Sequence, residues 1–498
     1  MVRRKTMKKR AKKLRTRSMR SRTMRSRTMR GRRKIKNTKR KMRGGRDKVR
    51  ELIHKYDPDI QEVDPTKQIL KICLLACDAL QPFIQTVYEI LNKLTTEYQD
   101  DADLMSIMTK KTSATDVFTI ADGMVQHILR KYLFNDPENN KDFVGEEQVV
   151  VQEKNEVNEK YIINNTIVIP STFTPLIDQA IEKIKLLGKE IPEYIFQKYT
   201  IFVDPIDGTA EFSGTDKRTE EDREKDPWPI GGKGDQCTIL IGFADKKGKA
   251  VAGLAYRPVI NPKNTKNTYA YGWIDEEGKG HVNDFQRHLN MSDVESDPTT
   301  IRFITSNGAI SNITSELIEK IGERIPSGGA GNKILMLLEN KGDVYLQDRG
   351  VSRWDTCAGD AILEAYGGRL ALLTNFLEND GNIDERYIYK KLTAEGKNTN
   401  ENPAATITGY TNQYSNLCGL FAIKNKEDQR ISEIYKAIVK VAGEHEAKDA
   451  ARVEKQEEEN NNKKKEGNKL TKEEEKNAKT DIIQKDKDYP EFKFFHFD

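Results

Sequence analysis

No run of about 18 consecutive apolar residues appears in the chain, so no membrane span is expected from it. The amino terminus lacks the apolar core of a secretory signal. Five cysteines in 498 residues (Cys73, Cys77, Cys237, Cys357 and Cys418) do not make a disulfide framework, and none forms a CxxC pair. Cys73 and Cys77 stand four apart in an apolar helical pattern, where buried free thiols are the common case. A reducing, cytoplasmic location is therefore expected. The six histidines (His54, His127, His281, His288, His445 and His496) show no ligand spacing, which disfavours a zinc hydrolase. Acidic residues are nearly missing from residues 1–50. That segment holds 26 Lys/Arg and one carboxylate, Asp47, a net of +25; since the whole chain carries +6, the remainder carries −19. It also holds no aromatic side chain for base stacking, so sequence-specific nucleic-acid readout is not expected there.

What is present divides into three parts. Residues 1–65 are a basic, low-complexity arm, residues 66–442 a folded body and residues 443–498 a charged tail. The arm repeats Met-Arg with Ser or Thr from Ser18 to Arg30, and charge of one sign at this density keeps a segment unfolded. One reading of it is a non-specific polyanion contact or a nuclear or nucleolar address. A presequence fits less well, because too few apolar residues are present for an amphipathic face. The other reading is an extension with no defined role, and both stay open.

In the body, Ile69, Ile72, Cys73, Ala76 and Leu80 recur at helical spacing, as do Phe83, Val87, Ile90 and Leu91. A second amphipathic helix is expected from about Thr115 to Tyr132, with Asp122 at the edge of its apolar stripe, and a third around Leu176–Leu187. Thr238–Gly242 and Ala250–Tyr256 read as strands joined by a turn at 246–249. Between Gly214 and Gly234 a charged insert should form a surface loop. Val344–Leu346 reads as a short strand, and Thr356–Tyr366 as a helix stopped by Gly367 and Gly368. The tail from about Gly443 is polar all round, an exposed helix or disorder.

Four carboxylates carry the chemical reading. Asp204 and Asp207 lie three apart in Val203-Asp204-Pro205-Ile206-Asp207-Gly208-Thr209, after the apolar run Tyr199–Phe202. Glu146 follows Phe143-Val144-Gly145 at a strand end, and Asp355 precedes a helical stretch in Arg353-Trp354-Asp355-Thr356. Hard divalent cations need such clusters of oxygen ligands. These segments are candidates to surround two or three Mg²⁺ ions, with the Ile206 carbonyl as a further oxygen donor. Metal pairs of this kind serve phosphoryl transfer. Gly208 and Thr209 open a turn whose N–H groups suit a phosphate. Thr209 is placed to orient the attacking water and Asp122 to take its proton. Each signal taken alone has a plainer explanation. Asp355 before a helix is ordinarily an N-cap, Asp-Pro-x-Asp-Gly is a good turn, and Asp122 is ordinarily a solvated charge.

Taken together and in order, these motifs resemble those of the inositol monophosphatase-like superfamily of Mg²⁺-dependent, lithium-sensitive phosphomonoesterases. The resemblance covers about residues 66–440. It implies a layered αβαβα sandwich, with a metal and catalytic half at 66–258 and a substrate half at 259–442. Carried over by motif, the metal ligands fall on Glu146, Asp204, the Ile206 carbonyl, Asp207 and Asp355, and the proton-handling pair on Asp122 and Thr209.

Two branches compete for the substrate. Ser327-Gly328-Gly329-Ala330-Gly331-Asn332-Lys333 resembles the substrate-side loop of 3′(2′),5′-bisphosphate nucleotidases, in which Lys333 would meet a second phosphate as a point charge. Gly234–Gly242, Val117–Asp122 and the long segment between Gly368 and Gly419 look more like inositol polyphosphate 1-phosphatase. Ile304-Thr305-Ser306-Asn307-Gly308 has no His where the nucleotidase branch places one. The motifs therefore favour hydrolysis of the 1-phosphate of an inositol bisphosphate, with 3′-phosphoadenosine 5′-phosphate as the alternative substrate. Gly208, Thr209, Thr305, Gly329, Lys333 and Asp355 are the expected substrate contacts. A catalytically inactive scaffold that binds polyanions through its arm is the rival of another class, although it gives no chemical reason for an intact ligand set. A fructose-bisphosphatase fits the Lys333 and Trp354 motifs less well.

Overall fold

The structure is a computed structural model that describes residues 64–92, 109–111, 117–135, 143–146, 151–153, 161–163, 167–213, 233–260, 266–292, 300–308, 310–347, 351–384, 386–390, 415–416 and 419–445. The basic arm, most of the charged insert, much of the segment between Gly368 and Gly419, and the tail past residue 445 lie outside the described residues.

Helix α1 (Pro65–Leu91) starts where the Asp64 carboxylate accepts from the Thr66 N–H at 2.7 Å. Pro65 takes the first turn, where a missing N–H costs nothing. The two apolar stretches at 69–80 and 83–91 are one helix running through Pro82. Although Lys71 and Asp78 interrupt its apolar run, α1 has the length and mean hydropathy of a membrane span, and 67% of that window is buried inside the body. Strands β1 (Thr109–Lys111) and β2 (Val117–Thr119) pair as a hairpin, and β2 leads directly into helix α2 (Ile120–Ile128). The helix expected from about Thr115 therefore starts later. Thr119 caps it, the residues before are strand, and Leu129–Leu133 widen into a π turn.

Strand β3 (Phe143–Gly145) is followed by a small antiparallel patch of β4 (Val151–Glu153), β5 (Tyr161–Ile163) and β6 (Ile167–Val168). Helix α3 (Thr174–Gly188) and the short α4 (Tyr194–Lys198) lead to β7 (Tyr199–Asp207) and the single-turn α5 (Thr209–Phe212). With β8 (Thr238–Asp245), β9 (Ala250–Arg257), β10 (Thr268–Ile274) and β11 (Gly280–Val282), a six-stranded sheet forms in the order β11-β10-β9-β8-β7-β3. All its pairs are antiparallel except β3–β7. This sheet passes residue 258, the expected boundary between the halves, and ends at Val282.

Beyond α6 (Phe285–His288) come β12 (Ile301–Ser306), α7 (Asn312–Ile321), β13 (Gly322–Ser327), α8 (Ala330–Leu338), β14 (Val344–Gln347), β15 (Val351–Ser352), α9 (Arg353–Tyr366), β16 (Arg369–Leu372), α10 (Leu373–Glu378), β17 (Ser415–Asn416), β18 (Leu420–Ile423) and a last helix α11 at 430–445. The second sheet has the order β13-β12-β14-β18-β16. Helices α1 and α2 cover the six-stranded sheet with α3 packed on α1, α8 and α9 fill the space between the sheets, and α7, α10 and α11 cover the far face of the second sheet. The layering is αβαβα. Leu335, Leu337, Ile362 and Leu363 are among the buried residues of the middle layer. Each such burial contributes roughly 1.5–3 kcal/mol, so apolar contact holds this layer together.

Helix α9 reaches unusually close to the sheet beneath it. Gly242 on β8 opposes Gly253 on β9, and Gly253 opposes Gly272 on β10, forming a glycine track across three strands. A Cβ at Gly242 would lie 2.6 Å from the Ala358 nitrogen, and one at Gly253 2.2 Å from the Ala358 carbonyl oxygen. The track sets the depth of α9, and with it the position of Asp355 in the helix's first turn.

Candidate active site

Asp204 and Asp207 belong to the end of β7 itself rather than to a loop after it. Residues three apart on a regular strand point to opposite faces. Here Asp204 opposes Leu240 while Asp207 opposes Thr238, so β7 holds one extra residue and its side chains change parity. Pro205 has no N–H to lose from the ladder, and the Ile206 N–H is taken by Asp204 Oδ1 at 3.1 Å. The bulge therefore aims both carboxylates at one place. Gly208 then turns the chain at φ 87°, a left-handed conformation that suits glycine, into α5.

Asp355 is not an N-cap. Ser352 caps α9, and Asp355, three residues on, reaches back to accept from the Ser352 N–H at 2.6 Å. The carboxylates of Asp204, Asp207 and Asp355 each bring an oxygen within 4.8 Å of the others. Burial, and then the charges of Glu146, Asp355 and Asp207, push Asp204 well above the usual carboxylate range. Burial pushes Asp355 up to about 6, with the Asp207 charge adding to it. Glu146 thus stands close enough to act on Asp204 electrostatically, while lying outside the three-carboxylate group. Its neighbour Glu147 lies outside the described residues. A group of mutually repelling oxygens needs positive charge, and donors that are all oxygen fit a hard divalent cation. Asp204, Asp207 and Asp355, with Glu146 and the Ile206 carbonyl beside them, are the residues that would hold it.

Asp207 is held from β8 and from the first turn of α8. Its Oδ2 accepts from the Thr238 hydroxyl at 2.6 Å and the Gly331 N–H at 2.8 Å, and its Oδ1 from the Ala330 N–H at 2.7 Å. The two amides belong to the first turn of α8, where helical N–H groups have no partner within the helix. Oδ1 therefore keeps a lone pair for a cation. Gly329 enters α8 at φ 61°, and a Cβ there would stand 2.9 Å from Asp207 Oδ2.

Asp122 is fully buried and its two oxygens are divided. Oδ2 accepts from the Thr119 N–H at 2.9 Å and from the Thr119 hydroxyl, while Oδ1 faces the Thr209 hydroxyl at 3.1 Å. Thr209 Oγ1 is also 2.9 Å from the Ile206 carbonyl, so its single proton has two acceptors. Burial pushes Asp122 up to about 6 against the pull of these hydrogen bonds. The expected edge-of-helix carboxylate is in fact a core group aimed at Thr209.

Lys333 on α8 is 4% exposed. Burial pushes its ammonium down, while the charges of Asp207, Glu211 and Asp355 hold it up, and its Nζ stands over the Tyr345 ring at 5.4 Å. Gly208 and Gly329 also meet here, since a Cβ on Gly208 would come within 3.5 Å of the Gly329 Cα. Thr305 is different. It is buried, and its hydroxyl accepts from Arg324 Nε at 3.0 Å, so it supports the end of β12. Three features were missed from sequence: the Thr119 cap, the Thr238 hydroxyl, and the bridge in which Asn307 Nδ2 donates to Glu211 Oε1 at 2.7 Å and Gln236 Oε1 at 2.8 Å. Only the first has a sequence signal, the Thr-x-x-Asp capping pattern.

A sequence model of the inositol monophosphatase family matches residues 70–410. The 3′(2′),5′-bisphosphate nucleotidase 1 of Mus musculus is 29% identical over 273 residues, 53% of this chain and 73% of that protein. The Golgi-resident adenosine 3′,5′-bisphosphate 3′-phosphatase of Homo sapiens is 26% identical over 215 residues, 40% of this chain and 51% of that protein. Among solved structures, an IMPase of Thermotoga maritima aligns with 73% of this chain and 96% of its own, at 15% identity and a TM-score of 0.36. The chain belongs to the inositol monophosphatase family and is a phosphoric monoester hydrolase.

Proposed function

We propose that the chain is a Mg²⁺-dependent 3′(2′),5′-bisphosphate nucleotidase, acting on a small bisphosphorylated nucleotide such as 3′-phosphoadenosine 5′-phosphate. The observation that carries this reading is Lys333, a buried ammonium on which the charges of Asp207 and Asp355 act, suited to a second phosphate of the same substrate. Similarity to bisphosphate nucleotidase and adenosine 3′,5′-bisphosphate 3′-phosphatase supports the nucleotide over the inositol bisphosphate that the sequence motifs favoured. Mg²⁺ bound at these carboxylates, as two or three ions, would supply a positively charged template for water and phosphate.

The chain's own residues do the rest. Asp204, Asp207 and Asp355 converge from β7 and α9 and fix where the phosphate ester lies. As water attacks phosphorus and the ester P–O bond breaks, Thr209 Oγ1 orients the water and relays its proton to Asp122 Oδ1. The departing alkoxide takes a proton from solvent, and Thr119 keeps Oδ2 occupied and the carboxylate from turning. Lys333 offsets the charge of the phosphate that stays on the product.

A second reading, an inositol bisphosphate 1-phosphatase, is favoured by one observation. Asn307 follows β12 with its amide turned to Glu211 and Gln236, in a stretch (Ile304–Gly308) that lacks the His of the nucleotidase branch. Phosphate release from 3′-phosphoadenosine 5′-phosphate and from inositol 1,4-bisphosphate, each with and without Mg²⁺, separates the two. The nucleotide should have the higher kcat/KM. A higher value for the inositol ester would overturn the proposal in favour of the second reading.

A further inference from the structure

One buried polar network has no part in the chemistry above. Arg257, at the end of β9, is 3% exposed, and Asn332 and Glu339 are fully buried. Arg257 Nε donates to Asn332 Oδ1 at 2.8 Å, and Nη1 donates to Glu339 Oε1 at 2.6 Å and Thr268 Oγ1 at 3.1 Å. Nη2 donates to Glu339 Oε2 at 3.1 Å, making the pair bidentate. Asn332 Nδ2 in turn donates to Ser327 Oγ at 2.8 Å and the Gly328 carbonyl at 3.3 Å.

A buried ion pair is often no more stabilising than apolar residues of the same shape, so stability alone is a poor account of this network. Its position suggests a better one. Ser327 and Gly328 form the turn into α8, and Asn332 directly follows Ala330 and Gly331, whose N–H groups hold both oxygens of Asp207. Lys333 is the next residue. Gly328 is confined from the other side, since a Cβ there would stand 2.2 Å from Glu211 Cδ. The turn is thus set between α5 and the Arg257 network.

We propose that Asn332, anchored by Arg257, is a positioning residue: it holds the Ser327–Gly331 turn where two backbone amides aim Asp207 at the cation. This rests on the proposed Mg²⁺ site but names residues that touch neither cation nor substrate. Asn332→Ala removes both ends of the link. Ser327→Ala removes one of the two acceptors on the turn and leaves the Gly328 carbonyl. Thr268→Val removes an Arg257 contact that does not lead to the turn.

Mg²⁺ binding is measured by titration calorimetry on the substrate-free full chain, with a thermal melt of each variant. Asn332→Ala should raise the Mg²⁺ Kd about tenfold, within the 10–100-fold that loss of a ligand's support costs, and Ser327→Ala about threefold. Thr268→Val should keep the wild-type Kd even where its melting temperature falls. Turnover of Asn332→Ala should recover towards wild type at high Mg²⁺. Wild-type Kd in folded Asn332→Ala, or an equal rise in Thr268→Val, would overturn the inference. If Asn332→Ala does not fold, Ser327→Ala decides it by the same criterion. A wild-type chain that binds no Mg²⁺ would overturn the proposed function instead.

Discussion

Asp122 holds two roles apart by giving each oxygen its own partners. Its Oδ2 is committed to Thr119, so the oxygen facing Thr209 is the one left to exchange a proton. Burial lifts the carboxyl to about 6, near the pH at which a general base is most useful. In the proposed role as base Asp122 works ionised, so kcat/KM should fall tenfold per unit on the acid side. The midpoint should lie at about 6 or below, because cations bound nearby favour the ionised form. Asp122→Asn should lower turnover by roughly 10²–10⁴-fold and remove that limb. A variant that keeps the limb at its old midpoint would place the base elsewhere. At this scale the sequence was most legible where the motif is local, as in Asp204, Asp207, Thr209 and Asp355. It was silent where the partner is remote: Thr238 lies 31 residues from Asp207, and Ala330 lies 123 away.

The elements deliver these residues through two local irregularities. The bulge in β7 turns Asp204 and Asp207 to one side, and the glycine track lets α9 settle deep enough to bring Asp355 to them. A methyl at Gly253 would meet backbone, the Ala358 carbonyl, which cannot rotate away. Gly253→Ala should therefore destabilise by about 1–3 kcal/mol, the range for overpacking, and lower turnover by shifting Asp355. A folded variant with unchanged turnover would show that the depth of α9 does not position the site.

The same helix carries Asp360, 7% exposed and pushed up to about 7 by burial, with Glu364 adding to it and Tyr389, Arg369 and Arg386 opposing. An unfolded Asp releases its proton near 4, so between about 4 and 7 the folded form binds more protons than the unfolded one and stability falls as pH rises. Asp360→Asn should raise the melting temperature at pH 8 and leave it nearly unchanged at pH 4. An equal gain at both values would refute the assignment. Helix and strand cores were readable from period, whereas the late start of α2 and the β7 bulge were not. A 3.6 or 2.0 period survives a shifted end or one inserted residue.

Across the whole molecule, layering was legible only through the family motifs. Periodicity does not say which sheet a strand joins, and β18 lies between β14 and β16, far from its neighbours in sequence. Charge is legible without any structure. The +25 of residues 1–50 against −19 for the rest leads us to propose the arm as a polyanion contact independent of the catalytic body. The full chain should bind heparin at low salt and elute as salt rises, and a chain lacking residues 1–50 should flow through with unchanged kcat/KM. Equal retention of both would assign the contact to the body.

Lithium at submillimolar to millimolar concentration should inhibit in the presence of Mg²⁺, as the family resemblance implies. Indifference to it would separate this cation site from that of its relatives. The central claim is that Asp204, Asp207 and Asp355 form the working cation site of a phosphatase. Phosphate release from 3′-phosphoadenosine 5′-phosphate, followed across a Mg²⁺ titration for the wild-type chain and Asp204→Asn, tests it most directly. The wild type should release phosphate only with Mg²⁺. Asp204→Asn should lose more than the roughly 10–100-fold that a supporting residue costs, while melting at or above the wild-type temperature in the absence of metal because a buried charge is gone. Wild-type turnover in folded Asp204→Asn would contradict the account.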